Sequence, residues 1–96
     1  MRTTFLVCYD IANDKRVKQV FKACKNWGNH LQYSVFECDL NAMERMAMEE
    51  ELRGLIHHGE DQILFISLGP SEGRGDRVIS SLGLPYVKID APCYVV

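Results

Sequence analysis

TTFLVCYDIANDKRVKQVFKACKNWG, residues 3–28, changes its hydrophobic period part-way along. Its first eight residues are rich in β-branched and aromatic types and contain no breaker, which predicts a strand over 3–10. Both faces of that strand are apolar until Asp10 ends it. From Asn13 the period becomes helical: Val17, Val20, Phe21 and Cys24 fall at i, i+3, i+4 and i+7 and form one buried stripe. Asn13 or Asp14 can cap the start of this helix, which should run to about Trp27. Gly28 is expected to end it as a residue free to take positive φ.

Outward from this unit, Leu31 to Asp39 alternates, with Leu31, Tyr33 and Val35 on one side and Gln32, Ser34 and Phe36 on the other, and reads as a second strand. Asn41 followed by Glu44 has the form of a capping box. Met48, Leu52, Leu55 and Ile56 then give the apolar face of a helix closing near Gly59, with His57 and His58 in its last turn, favourable to the helix dipole. Gln62 to Leu68 is an apolar strand and 69–76 a glycine-rich turn. That loop lacks the Gly-Lys-Ser/Thr signature of a nucleotide-phosphate loop. Short strands follow over 77–82 and 86–90, and the last four residues, Cys93 to Val96, are strand-like.

The order β-α-β-(short β)-α-β is that of the ferredoxin-like α+β arrangement, βαββαβ with one additional C-terminal strand, in which both helices cover the same face of an antiparallel sheet. The other face is then bare. Because residues 5–9 and 63–68 are apolar on both sides, that face would be an exposed apolar patch of the kind monomers avoid. A second copy packed sheet against sheet about a two-fold axis, a homodimer, is the simplest cover. The tail at 93–96 could add to an edge of the partner's sheet.

Ninety-six residues, 47% hydrophobic and 25% charged, fit one globular domain spanning 1–96, a balance far from that of a disordered tail. The apolar run at the start is too short for a signal peptide or membrane span, so a cytoplasmic protein without membrane contact is expected. Cys8, Cys24, Cys38 and Cys93 have neither paired spacing nor a His-x-x-x-His partner, and read as buried or half-buried thiols. Formal net charge is only −2, but its distribution is uneven. Residues 1–36 carry six basic groups (Arg2, Lys15, Arg16, Lys18, Lys22, Lys25) against Asp10 and Asp14, and the remainder is correspondingly acidic.

That cationic segment holds the candidate chemistry. Lys15, Lys18, Lys22 and Lys25 fall at i, i+3, i+7 and i+10, on the helix face opposite the apolar stripe, with no Glu four residues away to pair them. They are either a solvated face or a surface for the phosphate backbone, insensitive to sequence and weakened by salt. Asp10 either caps a turn at the strand end or acts as a catalytic and metal-ligating carboxylate. The second role needs a second carboxylate, since magnesium held by one side chain keeps most of its waters. A two-fold axis near the ends of the first strands would bring two copies of Asp10 together. Tyr9, Gln32, Ser34 and Phe36 are equally compatible with packing and with nucleic-acid contact. His30, His57 and His58 offer no metal-binding pattern.

Tyr9-Asp10-Ile11, then Lys15-Arg16 with Lys18, then Gly28, then Gln32-x-Ser34-Val35-Phe36-Glu37-Cys38 together resemble the CRISPR-associated Cas-two family. The resemblance spans residues 3–38 with several motifs in register and continues more loosely through 61–69. It implies a ferredoxin-like homodimer that joins the Cas-one integrase in acquiring spacers, some members being described as magnesium-dependent endonucleases on RNA or double-stranded DNA. The family's metal-binding acid falls on Asp10, its basic positions on Arg16 and Lys15, and its second-strand serine and phenylalanine on Ser34 and Phe36. Two function classes follow. The dimer is a nuclease acting through paired Asp10 carboxylates, with Arg16 or a helix lysine such as Lys18 or Lys22 steadying the phosphate. Otherwise it is a non-catalytic DNA-binding adaptor in which Asp10 is structural. A toxin-like ribonuclease of similar fold is a third reading.

Overall fold

The computed structural model describes residues 1–72 and 80–85. Six elements appear in the order β1 (Thr3–Asp10), α1 (Asp14–Lys25), β2 (Asn29–Gln32), β3 (Val35–Leu40), α2 (Ala42–Arg53) and β4 (Gln62–Pro70). The strands form one sheet in the order β2-β3-β1-β4, each neighbouring pair antiparallel. Val20, Phe21, Ala23 and Cys24 of α1 and Met48 and Leu52 of α2 bury into one cluster with Phe5, Val7, Tyr9, Phe36, Cys38 and Leu40. Both helices therefore lie on one face of the sheet, the ferredoxin-like arrangement expected.

From Phe5 onward, burial alternates along β1. Phe5, Val7 and Tyr9 point under the helices and are buried, whereas Leu6, Cys8 and Asp10 belong to the opposite face. On that uncovered face Leu6 lies beside Ile66, and Cys8 between Val35 and Leu64. Leu64 and Ile66 are 46% and 43% exposed, so the bare apolar patch anticipated from the sequence is present.

The helix starts are as the sequence reads. Asn13 Oδ1 accepts the Arg16 amide at 3.0 Å, so Asn13 is the cap of α1. Asn41 and Glu44 close a full capping box, the Asn41 amide donating to Glu44 Oε1 at 2.9 Å and the Glu44 amide to Asn41 Oδ1 at 2.8 Å. Hydrogen bonds from the Asn41 amide first, and then from Arg2, hold the Glu44 carboxyl below its ordinary range.

Three expectations are corrected. The continuous strand over 31–39 is instead a hairpin, β2 and β3 joined at Tyr33-Ser34. β2 folds back antiparallel onto β3, His30 opposite Phe36 and Gln32 opposite Val35, while the Ser34 carbonyl accepts the Tyr9 amide at 3.0 Å in line with the β1–β3 ladder; Phe36 is fully buried and Tyr33 71% exposed. Gly28 does not take positive φ, since among the described residues only Gly69 and Gly83 do. The α1 cap is Asn26 in a helical conformation, and Gly28 is needed because a Cβ there would stand 2.4 Å from Cys38 Sγ and 2.4 Å from the Glu37 carbonyl oxygen. Finally, α2 stops at Arg53 with Gly54 as cap, so His57 and His58 lie beyond the helix; Leu55 and Ile56 still pack on the core from the following turn.

Cys24 and Cys38 are buried and Cys8 half-buried, as read from the sequence; burial foremost pushes the Cys24 and Cys38 thiols up to about 12. Gly69 and Pro70 belong to β4, with Gly69 at φ 93° where the β1–β4 register shifts. The strands expected over 86–90 and 93–96 lie outside the described residues, as do residues 77–79 of the one expected over 77–82, whose last three residues carry no strand. Among the described residues no helix is long and apolar enough to cross a membrane.

Candidate nucleic-acid interface

Asp10 is the last residue of β1, exposed, and on the uncovered face, opposite Gln62 of β4. Three residues later Asn13 opens α1, so the carboxylate and the lysine-bearing helix leave the same corner of the sheet. Lys15, Lys18 and Lys22 of α1 are exposed and form no ion pair among the described residues. At 3.6 residues per turn they fall within about 60° of one another around the helix, opposite the buried stripe. Lys25, at the C-terminal end of this face, has its ammonium 6.0 Å from the Phe21 ring centroid.

Arg16 belongs elsewhere. It lies about 100° round the helix from Lys15, at the edge of the buried stripe. There its Nε donates to Asp61 Oδ2 at 2.8 Å, and Nη2 donates to Asp61 Oδ1 at 3.2 Å and Glu60 Oε1 at 2.9 Å. Asp61 also accepts the Ala12 amide at 2.9 Å and the His57 amide at 2.8 Å, and its side chain is 0% exposed. The Arg16 hydrogen bonds first, then the two amides, hold the Asp61 carboxyl far below the usual carboxylate range despite the opposing effect of covering it. Reciprocally, the Asp61 hydrogen bond foremost raises the Arg16 guanidinium above its ordinary value. Arg2 is likewise engaged, in an ion pair with Glu44. Of the six basic groups counted in residues 1–36, the two arginines are therefore neutralised by acids from later in the chain, and Lys15, Lys18 and Lys22 of α1 keep their charge.

Tyr9 and Phe36, compatible in the sequence with packing or with nucleic-acid contact, are core residues. Their rings stack at 6.3 Å and 26°, both are buried, and Phe36 also meets Phe21 and His30 at 5.6 and 4.9 Å. The Tyr9 hydroxyl donates to the Tyr33 carbonyl at 3.4 Å, and burial raises its ionisation well above the ordinary phenol range. Ser34 sits at the hairpin tip, where its carbonyl is tied to β1. The structure thus brings Asp10 together with the start of α1 and leaves Tyr9 and Phe36 beneath the helices, on the opposite face from Asp10.

Asp61 is the site residue that sequence reasoning missed. It precedes an apolar strand and has no motif of its own. The one usable signal is topological: antiparallel pairing of Asp10 with Gln62 puts residue 61 beside the loop that leaves β1.

Within one protomer these residues do not fit a magnesium site. Asp10 offers a single carboxylate, the neighbouring Asp61 is filled by Arg16 and two amides, and among the described residues no three His, Cys, Asp or Glu side chains converge.

Comparison with known proteins bears on this arrangement. Residues 1–73 match the family model of CRISPR associated protein Cas2. A CRISPR-associated endoribonuclease Cas2 of Rhodospirillum rubrum is 38% identical over 92 residues, covering 96% of this chain and 89% of that protein. The Geobacter sulfurreducens protein of the same designation is 37% identical, with 86% of each chain covered. Among solved structures, Streptococcus pyogenes Cas2 superposes with a TM-score of 0.66 at 30% identity over 80% of this chain and 99% of its own. A hypothetical protein from Thermus thermophilus, TT1823, shares the fold at a TM-score of 0.75 and 24% identity, over 93% of this chain and 100% of that one. With the family's model matched through β1, the lysine helix and β4, and relatives this similar along most of their length, the chain is a member of the CRISPR-associated Cas2 family.

Proposed function

We propose that the chain acts as a homodimeric nuclease of CRISPR systems, cutting the phosphodiester backbone of RNA or duplex DNA held along the lysine face of α1. The observation that carries this reading is the placement of exposed Asp10 on the same uncovered face as Leu64 and Ile66, at the corner from which α1 departs. A second copy that buries Leu6, Cys8, Leu64 and Ile66 about a two-fold axis on that face also brings the β1 ends toward each other. Two Asp10 carboxylates then share one cleft. Held by that pair, a magnesium ion would supply charge neutralisation on the phosphate and a more acidic water. Lys15, Lys18 and Lys22 of each protomer hold flanking phosphates and fix the backbone across the cleft. The designation of the Rhodospirillum and Geobacter relatives as endoribonucleases supports the cleavage half of the reading.

A second reading has support of its own. The lysine face needs no carboxylate to bind a duplex, so the dimer would serve equally as an adaptor that holds DNA for the Cas-one integrase during spacer acquisition, with Asp10 structural. One comparison separates the two. Asp10→Ala should abolish magnesium-dependent cleavage while leaving duplex affinity unchanged. If cleavage persists in that variant, the nuclease reading fails. If spacer acquisition persists while cleavage is abolished, the adaptor role stands apart from the nuclease. Replacing Lys18 and Lys22 by Glu should weaken binding and reduce the slope of log K against log salt by about 0.9 for each B-DNA phosphate that the helix no longer neutralises.

A further inference from the structure

Asp61 accepts four hydrogen bonds, two of them from Arg16, and this polar cluster lies apart from the lysine face. Asp61 Oδ2 accepts from Arg16 Nε and the His57 amide, and Oδ1 from Arg16 Nη2 and the Ala12 amide. These partners come from three separate places: the loop that follows Asp10, the first turn of α1, and the turn after α2. Without the carboxylate, the Ala12 and His57 amides would each lose their acceptor. Ala12 is two residues beyond Asp10, close enough that its tether sets the direction in which the chain leaves β1. The planar fork of Arg16 is engaged on its Nε and Nη2 edge, and its charge is opposed by both Asp61 and Glu60.

We propose that Asp61, gripped by Arg16, is a positioning residue that fixes the loop following Asp10 and so the end of β1 that carries it, so that Arg16 acts as a strut and not as a phosphate contact. The idea rests on the reading of Asp10 as the working carboxylate, and it divides the cationic segment into two jobs. Lysines on the outer face bind the backbone. The arginine on the inner edge holds the acid in place. A positively charged residue tied up in this way adds little to the salt-dependent part of binding, because it has no counterions of its own to release at the phosphate.

The test uses the intact protein with Asp61→Asn, Arg16→Lys and Arg16→Ala, and three readouts. Asp61→Asn keeps one acceptor oxygen and turns the other into a donor, so at least one of the Ala12 and His57 amides should exchange with solvent about tenfold faster. Its kcat for RNA or duplex cleavage should fall on the order of 10- to 100-fold with KM within about twofold, the pattern of a misplaced group and not of weakened binding. Arg16→Lys keeps the charge but loses the fork, so it should reproduce the faster exchange; it also serves as the test variant if Asp61→Asn does not fold. Arg16→Ala should leave the salt slope of duplex binding unchanged. Unaltered exchange of both the Ala12 and the His57 amide in Asp61→Asn and in Arg16→Lys would overturn the proposal, as would a drop of about 0.9 in salt slope for Arg16→Ala, which would make Arg16 a phosphate contact. Should Asp10→Ala prove as active as the parent, the nuclease reading falls by itself. The strut is then judged on amide exchange and salt slope alone.

Discussion

Replacing Gly28 by Ala tests the packing that joins the lysine helix to the sheet. An alanine Cβ at this position would lie 2.4 Å from Cys38 Sγ, 2.4 Å from the Glu37 carbonyl oxygen and 3.0 Å from Cys38 Cα. Two of these three neighbours are backbone atoms of β3, an inner strand of the sheet paired on both sides, so no side-chain rotation relieves the overlap. The 26–28 turn or β3 itself must move. Overpacking of this kind costs about 1–3 kcal/mol, and contact with paired backbone puts it at the upper end. For a domain this small each kcal/mol shifts the midpoint by about 4–8 °C, so a fall in Tm of about 10–20 °C is expected at fixed protein concentration. Gly54→Ala is the control. It also lacks positive φ, and its nearest neighbour is 3.6 Å away, so it should be neutral or stabilise by about 0.4–1 kcal/mol through the unfolded chain. Adding Cys38→Ala to Gly28→Ala should recover only part of the loss, because the Glu37 carbonyl is unmoved. Thermal and urea unfolding followed by circular dichroism measure all of these. A Gly28→Ala protein within about 0.5 kcal/mol of the parent would show that the close approach is not a constraint.

Other expectations follow from the same geometry. Phe36→Ala should cost about 3–5 kcal/mol in urea unfolding, and Phe36→Leu far less, while duplex affinity of the folded Phe36→Leu protein stays at the parental value. A loss of affinity without a loss of stability would return Phe36 to the nucleic-acid surface. Because the Asp61 carboxyl is depressed in the folded state, its stabilisation is complete above the ordinary carboxylate range near pH 4 and is lost as pH falls below it. Asp61→Asn should therefore flatten the acid limb of stability against pH, and an unchanged limb would refute the coupling. In a Cys93→Ser background Cys24 and Cys38 should resist aqueous thiol reagents, both being buried with ionisation pushed up to about 12. Half-buried Cys8 lies on the uncovered face, so its labelling should speed up on dilution if a second copy covers it. Labelling independent of concentration would sink that dimer face.

How much of this was legible in the residues depends on how locally each feature is determined. β1, α1 and the capping box at Asn41 and Glu44 are fixed by periods and pairs within a few residues, and they appear as read. The hairpin at Tyr33-Ser34 was not legible, because residues 31–39 alternate without a Gly, Pro or Asn to mark the turn. What divides the segment is the return of β2 onto β3, whose other edge is held by β1 as far as the bond from the Tyr9 amide to the Ser34 carbonyl, a partner 25 residues away in sequence. Gly28 was recognised as special for the wrong physical reason. A glycine required by φ and one required by a close neighbour look identical in one chain, and only the approach of Cys38 and Glu37 distinguishes them. Arg16 read as one more cation in a cationic run because Asp61 and Glu60, which neutralise it, lie more than 40 residues downstream.

The same distinction separates structural from functional roles along β1. Its inner residues, Phe5, Val7 and Tyr9, are buried under both helices, and substitutions there act through stability. Its outer residues, Leu6, Cys8 and Asp10, face away from that core, and within one protomer the apolar strip they share with Leu64 and Ile66 is left uncovered. Burying that strip against a second copy would add roughly 25 cal/mol for each Å² of apolar surface removed from water. The strip ends at Asp10, so the same contact that removes it from water would draw two like charges together. Like carboxylates in one cleft oppose association unless a cation or a proton lies between them. Dimerisation should therefore tighten with added magnesium, and tighten without it when Asp10 is replaced by Asn. Sedimentation of the parent and of Asp10→Asn with and without magnesium measures both effects. A dimer indifferent to magnesium and to the loss of both carboxylates would place the two Asp10 side chains far apart.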